Sequence, residues 1–184
     1  MADFNESMKI LMRLEFSNPE NALHKNKTET GYTYMGIYQT AHPKWSGWIV
    51  VNDFLKKFKD IKMASRELYK NETLTRLVYL FYKKTFWDIA RLDEVDSQKM
   101  ADEIFIFGVN AGMGVAVKVA QRLVGLFADG KIGSETLDTL NKFGEVVFDK
   151  QYDLLEQEHY NKLIAKNTKF KIYANGWRNR SIAV

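Results

Sequence analysis

Helical spacing of apolar residues, rarely interrupted by proline, most constrains the fold of this chain. Only two of its 184 residues are proline, Pro19 and Pro43, so little in the sequence stops a helix once it has begun. Apolar residues recur at helical spacing over residues 4–16, 46–59, 72–86, 96–107, 115–127 and 134–140, and residues 145–166 are predicted to form the last long helix. We therefore predict a mainly α-helical fold.

Signs of extended structure are confined to residues 30–40. Aromatic residues concentrate there, and Gly31 and Gly36 punctuate the run, which predicts a short hairpin or an extended loop. A tight turn is predicted at residues 129–133, because Asp-Gly followed by a second glycine supplies positive φ values. The chain has no repeat and no low-complexity linker, so we expect a single domain over residues 1–184.

Composition narrows the possible functions. The chain has no cysteine, which excludes disulfides and thiolate zinc sites, and three scattered histidines do not indicate a metal cluster. The net charge of +4 favours a polyanionic partner, although lysine-rich solvated helix faces also explain it. The first seven residues do not resemble a secretion signal, and no apolar run approaches a membrane span. We expect synthesis in the cytoplasm and no stable membrane insertion.

Glu15 occupies the most informative position among the carboxylates. It ends the apolar helical stretch of residues 8–15 and precedes a turn-rich segment and then the glycine-punctuated run. A carboxylate at a helix end that faces a short hairpin is how lysozyme-type enzymes hold their general acid. Apolar neighbours at such a place raise the carboxyl pKa, so that the group keeps its proton. The alternative is a solvated glutamate that closes an ordinary amphipathic helix.

Several further segments follow Glu15 in a defined order. Residues 31–37 read GYTYMGI, and residues 86–88 read FWD. Residues 105–112 read FIFGVNAG, and the later part contains QRL at 121–123 and DGKIGSET at 129–136. The chain then reaches GWRNR at 176–180.

This order resembles the glycoside hydrolase 108 family of N-acetylmuramidases, which includes phage endolysins and secretion activator proteins. The resemblance spans roughly residues 5–182. It implies a lysozyme-like helical domain that cleaves the β-1,4 glycosidic bond of peptidoglycan without a cofactor, with Glu15 as general acid. Residues 1–95 would form the catalytic side, and residues 96–184 a helical, peptidoglycan-binding-like part.

The segment after Glu15 departs from the family pattern. Residues 16–18 read FSN where the family has glycines, so the alternative is a non-catalytic peptidoglycan-binding or secretion-accessory homologue. Glycoside hydrolysis also needs a second carboxylate or a group that positions water. Glu29 and Thr33 are the candidates, and Glu29 could equally be a solvated loop residue.

Three residues are candidates for substrate binding. Tyr32 and Tyr34 could form aromatic walls for sugar rings, and Asn110 could border a cleft between residues 30–40 and the helices around it. Asn110 could instead satisfy backbone groups at a helix break.

The expected partners follow from the resemblance. They are peptidoglycan glycan strands and a holin or an export system that releases the protein to the cell wall. A helix over residues 115–126 would offer only Lys118 and Arg122 to a nucleic-acid groove, so nucleic acid is not expected.

Overall fold

A computed structural model describes residues 1–26, 30–182 and 184. The helices in this part of the chain are α1 (Phe4–Glu15), α2 (Gly47–Lys57), α3 (Ile61–Tyr69), α4 (Glu72–Tyr82), α5 (Gln98–Ala111), α6 (Met113–Leu123), α7 (Ser134–Lys142), α8 (Glu145–Lys166) and α9 (Ala174–Ser181). The strands are β1 (Leu23–His24), β2 (Thr33–Tyr34) and β3 (Ile37–Tyr38). The prediction of a mainly helical fold with a small β element is confirmed. No helix in the described part is long and apolar enough to cross a membrane.

The strands form one antiparallel sheet in the order β1-β2-β3. Met35 and Gly36 connect β2 to β3, and both have positive φ, 44° and 76°, as a two-residue type I′ hairpin turn requires. A Cβ on Gly36 would lie 2.5 Å from the hydroxyl of Tyr82. That hydroxyl donates a hydrogen bond of 2.8 Å to the carbonyl of Met35, so the hairpin turn is fixed against the end of α4.

Helix boundaries differ from the predictions where tertiary packing intervenes. Ser97 caps α5, accepting a hydrogen bond from the backbone of Met100. The apolar spacing predicted a helix only as far as residue 107, but α5 continues to Ala111 and breaks at Gly112, whose φ is 95°. Gly108 stays helical, and a Cβ there would lie 2.5 Å from the Met113 side chain. Gly108 therefore does not form a turn.

Two further differences concern the starts of helices. Serine favours the N-cap position, but α7 begins at Ser134 and Gly133 is its N-cap residue. The additional helix α3 begins after Asp60, whose side chain accepts a hydrogen bond from the backbone of Lys62. The segment was not predicted, because charged residues interrupt its short apolar pattern.

The chain divides into two compact units. The terminal unit comprises Met1–Ile10 and Lys83–Val184, and the central unit comprises Leu11–Tyr82. In the terminal unit α5 packs against α6 and α8. The fully buried ring of Trp87 contacts Phe4 and Phe105, and Asp88 pairs with Lys83 at 2.6 Å.

The core of the central unit is built from α2, α3, α4 and the sheet. Leu68 and Leu74 are fully buried there, and Trp48 is buried as well. Ser65 links α3 to the chain before the sheet, because its hydroxyl accepts a hydrogen bond from the backbone of Leu23 and donates one to the carbonyl of Pro19. The sheet is thereby fixed to the helices.

The turn at residues 129–133 is closed by Gln121 of α6. The Gln121 amide donates to the Asp129 carboxylate at 2.8 Å and to the Lys131 carbonyl at 2.9 Å. Its carbonyl oxygen accepts from the backbone of Gly130, whose φ is 83°. The chain bends at Gly130 as predicted, but Gly133 has a φ of −94° and does not supply a second positive φ. Gln121 holds this bend through its hydrogen bonds.

Candidate active site

Glu15 is the last residue of α1, and its side chain is exposed. The sequence predicted apolar surroundings for this carboxylate, and that part of the prediction is wrong, since the helix ends at the surface. Phe16, the next residue, points into the core instead. Exposure leaves the Glu15 carboxylate accessible to a ligand.

Phe16 anchors the chain directly after Glu15. Its ring lies 6.2 Å from that of Tyr82, and its Cζ atom lies 3.4 Å from the position of a Cβ on Gly36. Phe16 therefore packs against both the end of α4 and the hairpin turn. The residue that replaces the expected glycine holds the helix end beside the β2–β3 hairpin.

Tyr82 supports the hairpin and the helix end together. Its ring contacts Phe16 while its hydroxyl bonds the carbonyl of Met35. Burial raises the pKa of Tyr82, so the hydroxyl stays protonated and donates this hydrogen bond at all ordinary pH values. The positions of Glu15 and the hairpin turn are thus coupled through one aromatic side chain.

The candidates for the second catalytic role lie in or beside the hairpin. Thr33 is in β2, paired with His24 of β1 and with Tyr38 of β3, and 8% of it is exposed. Glu29 lies outside the described residues. The assignments of both residues stay predictions.

The two tyrosines proposed to contact sugar are placed differently. Tyr32 is half-buried, and the ammonium group of Lys25 lies 5.6 Å from its ring centroid. Tyr34 is fully buried, and its ring is stacked on Trp45 with 6.4 Å between centroids. Desolvation raises the pKa of Tyr34. Its burial argues against direct contact with a sugar, because the ring is part of the core.

Asn110 lies near the end of α5 in the terminal unit, and it is exposed. Its amide donates a 2.6 Å hydrogen bond to the hydroxyl of Tyr160 in α8. The Tyr160 ring stacks on Trp177 of α9 with 4.6 Å between centroids and 13° between planes. Asn110 therefore joins two sequence motifs that are far apart in the chain, and its predicted place at the substrate stays a prediction.

A buried carboxyl cluster in the terminal unit was missed by the sequence reasoning. Glu103 of α5 and Glu156 of α8 are 1% and 2% exposed, and Asp149 and Asp153 lie beside them on α8. Burial, reinforced by the neighbouring carboxylates, raises the pKa of Glu103 to about 10 and that of Glu156 to about 9. The spacing of residues 149, 153 and 156 on one helix face was the available signal. Among the described residues, no group of acids and histidines could hold a metal ion.

Comparison with known proteins identifies the family. A model described as glycosyl hydrolase 108 matches residues 21–112, half of the chain, and one described as a predicted peptidoglycan domain matches residues 115–182. The solved structure of Brucella abortus SagA is 19% identical, with a TM-score of 0.63 over 98% of this chain and 92% of that chain. This likeness concerns the fold. No curated protein matches the chain.

The first match includes the hairpin and Asn110, and it begins after Glu15. The protein belongs to the glycosyl hydrolase 108 family, and a predicted peptidoglycan domain follows the hydrolase segment.

Proposed function

We propose that this protein is an N-acetylmuramidase that cleaves the β-1,4 glycosidic bond of peptidoglycan, with Glu15 as proton donor. Membership of a glycosyl hydrolase family and the predicted peptidoglycan domain support the reaction class and the substrate. The observation that carries the proposal is the exposed carboxylate at the end of α1, directly before the anchored Phe16.

The proposed chemistry begins with a protonated Glu15. The carboxyl group donates its proton to the glycosidic oxygen as the bond from that oxygen to the anomeric carbon breaks. The negative end of the helix dipole disfavours an ionised carboxylate at this position, which assists proton donation. Water then adds to the anomeric carbon and gives its proton to Glu29 or, where the hydroxyl of Thr33 only positions the water, to a solvent water molecule.

The central experiment compares release of reducing ends from purified peptidoglycan by the wild type and by Glu15→Gln. We expect a loss of about 100-fold or more, since removing a general acid forfeits a contribution of this size. Glu6→Gln is the matched control, because Glu6 is an exposed glutamate of the same helix that pairs only with Lys9 in the described part of the chain. Full activity of Glu15→Gln would refute the assignment.

The bond specificity and the second group need separate measurements. Borohydride reduction of the products is expected to convert muramic acid, rather than glucosamine, to its alditol. Thr33→Val and Glu29→Gln are then compared at saturating substrate. The variant with the larger fall in kcat identifies the group that acts on water.

A non-catalytic peptidoglycan-binding protein is the second candidate. It is favoured by the beginning of the family match after Glu15 and by the FSN sequence at residues 16–18. Such a protein would co-sediment with peptidoglycan but release no reducing ends, and Glu15→Gln would behave like the wild type.

We also propose that the protein reaches the wall through a holin or an export system. Cells that express it but lack such a holin or export system are then expected to lyse only when their inner membrane is permeabilised. Lysis without permeabilisation would contradict this route.

A further inference from the structure

A surface pocket of about 250 Å³ lies in the terminal unit between the second half of α8 and α9. Its polar lining comes from three carboxamides, Gln157, Asn161 and Asn175, and from the guanidinium of Arg178. Trp177 supplies an aromatic wall. Pockets that bind small ligands combine apolar walls with a few polar groups that fix orientation, and this volume suits a group of one sugar ring or a short peptide segment.

The aromatic wall is rigid. Trp177 is stacked on Tyr160, which is 4% exposed and is held by the hydrogen bond from Asn110. Phe170 packs against the same indole at 6.2 Å. A half-buried indole held in this way meets a ligand with little loss of conformational entropy.

The chain segment that forms the pocket is strongly cationic. After Glu158 the sequence contains no aspartate or glutamate. The same stretch carries six cationic residues, Lys162, Lys166, Lys169, Lys171, Arg178 and Arg180. This imbalance draws an anionic ligand toward the pocket, and a guanidinium binds carboxylates with two parallel hydrogen bonds.

We propose that the α8–α9 pocket binds a muramyl peptide unit of peptidoglycan, an N-acetylated amino sugar with its carboxylate-bearing stem peptide. The identity of the ligand rests on the proposed function. The indole of Trp177 packs against the sugar, and the carboxamides of Asn161 and Asn175 bond its acetamido group. Arg178 pairs with a stem carboxylate. The pocket thus retains the polymer at a site formed by residues other than Glu15.

Binding is measured with the Glu15→Gln protein, so that the polymer stays intact. Co-sedimentation with purified peptidoglycan is compared for this protein and for versions that also carry Arg178→Ala, Asn175→Ala or Trp177→Ala. Lys171→Ala is the matched control, because Lys171 is an exposed cation of the same tail that does not line the pocket. Thermal unfolding of each protein checks that α9 remains folded. Trp177→Phe retains aromatic packing if the alanine variant unfolds.

Arg178→Ala is expected to weaken binding about tenfold, as loss of one charge-assisted hydrogen bond implies, and Lys171→Ala less than about twofold. Glycan strands stripped of stem peptides should bind the parent protein as weakly as intact polymer binds Arg178→Ala. Equal effects of Arg178→Ala and Lys171→Ala, or equal competition by DNA, would show general electrostatic binding and overturn the proposal.

The two proposals fail separately. If the wild type releases no reducing ends but its binding depends on Arg178, the proposed hydrolysis is refuted and the proposed binding site stands. Hydrolysis that depends on Glu15, with binding indifferent to Arg178 and Asn175, would refute the pocket alone.

Discussion

Replacing Glu103 by glutamine should stabilise the protein at neutral pH. Glu103 faces Asp149, Asp153 and Glu156 of α8, and Asp149 pairs with Lys99 at 3.2 Å. Burial is the largest cause of its raised pKa, and the facing carboxylates add to it. Glutamine is the neutral isostere, and its amide can still donate a hydrogen bond to Asp149.

Proton linkage explains why Glu103→Gln should stabilise rather than destabilise the folded protein. The pKa of Glu103 is about 10 in the folded protein, against an ordinary value of 4.5. The folded state therefore keeps a proton that the unfolded chain releases. The stability from this group is fully present below pH 4.5 and is lost as the pH rises toward 10.

The size of the stabilisation by Glu103→Gln depends mainly on the pH of the measurement. About 2.5 pH units separate the ordinary pKa from pH 7, and each unit corresponds to about 1.4 kcal/mol. Ionisation of the unfolded chain therefore removes about 3 kcal/mol of folding free energy from the wild type by pH 7. Glu103→Gln avoids this loss, which corresponds to a rise in Tm of about 6 °C or more for a chain of this size.

The assay is denaturant unfolding of the wild type and Glu103→Gln at several pH values from 4.5 to 8. The two proteins should differ little at pH 4.5, and the variant should gain stability steadily above it. Glu158→Gln is the control, because Glu158 is an exposed glutamate of α8 that pairs with Lys162. A pH-independent difference, or a less stable Glu103→Gln protein at pH 7, would refute the linkage argument.

Two further substitutions test how the site and the C-terminal motif are held. Phe16→Ala should cost about 3 kcal/mol of stability and should lower kcat per folded molecule, because Glu15 loses its anchor. Phe16→Leu should retain most of the stability and most of kcat. An undiminished kcat in Phe16→Ala would contradict the anchoring role of Phe16. Gln121→Ala leaves Asp129, Gly130 and Lys131 without their shared hydrogen-bond partner and should lower the free energy of unfolding by about 2–4 kcal/mol in chemical denaturation. A change below about 0.5 kcal/mol would show that these hydrogen bonds are dispensable.

Local patterns determined much of the secondary structure. Residues 145–166 were predicted to form the last long helix, as α8 does, and the rise in aromatic residues predicted the hairpin at residues 30–40. The positive φ of Gly130 was also correctly predicted. These features depend on residues a few positions apart, so a short stretch of sequence contains the residues that stabilise them.

The environment of each candidate site residue was decided by tertiary structure. The sequence placed Glu15 at the end of a helix, but which side of α1 faces the core determined that Glu15 is exposed and Phe16 buried. The sequence suggested that Tyr34 contacts sugar, but strand pairing and stacking on Trp45 bury its ring.

Tertiary structure also decided the contacts that join distant segments of the chain. Glu103 and Glu156 meet only because α5 and α8 pack together, and Asn110 reaches Tyr160 across 50 residues of sequence for the same reason. Periodicity identifies an apolar face, but it does not identify which residues of another helix pack against that face. Burial and pKa depend on that pairing, and for this protein only the tertiary structure supplies it.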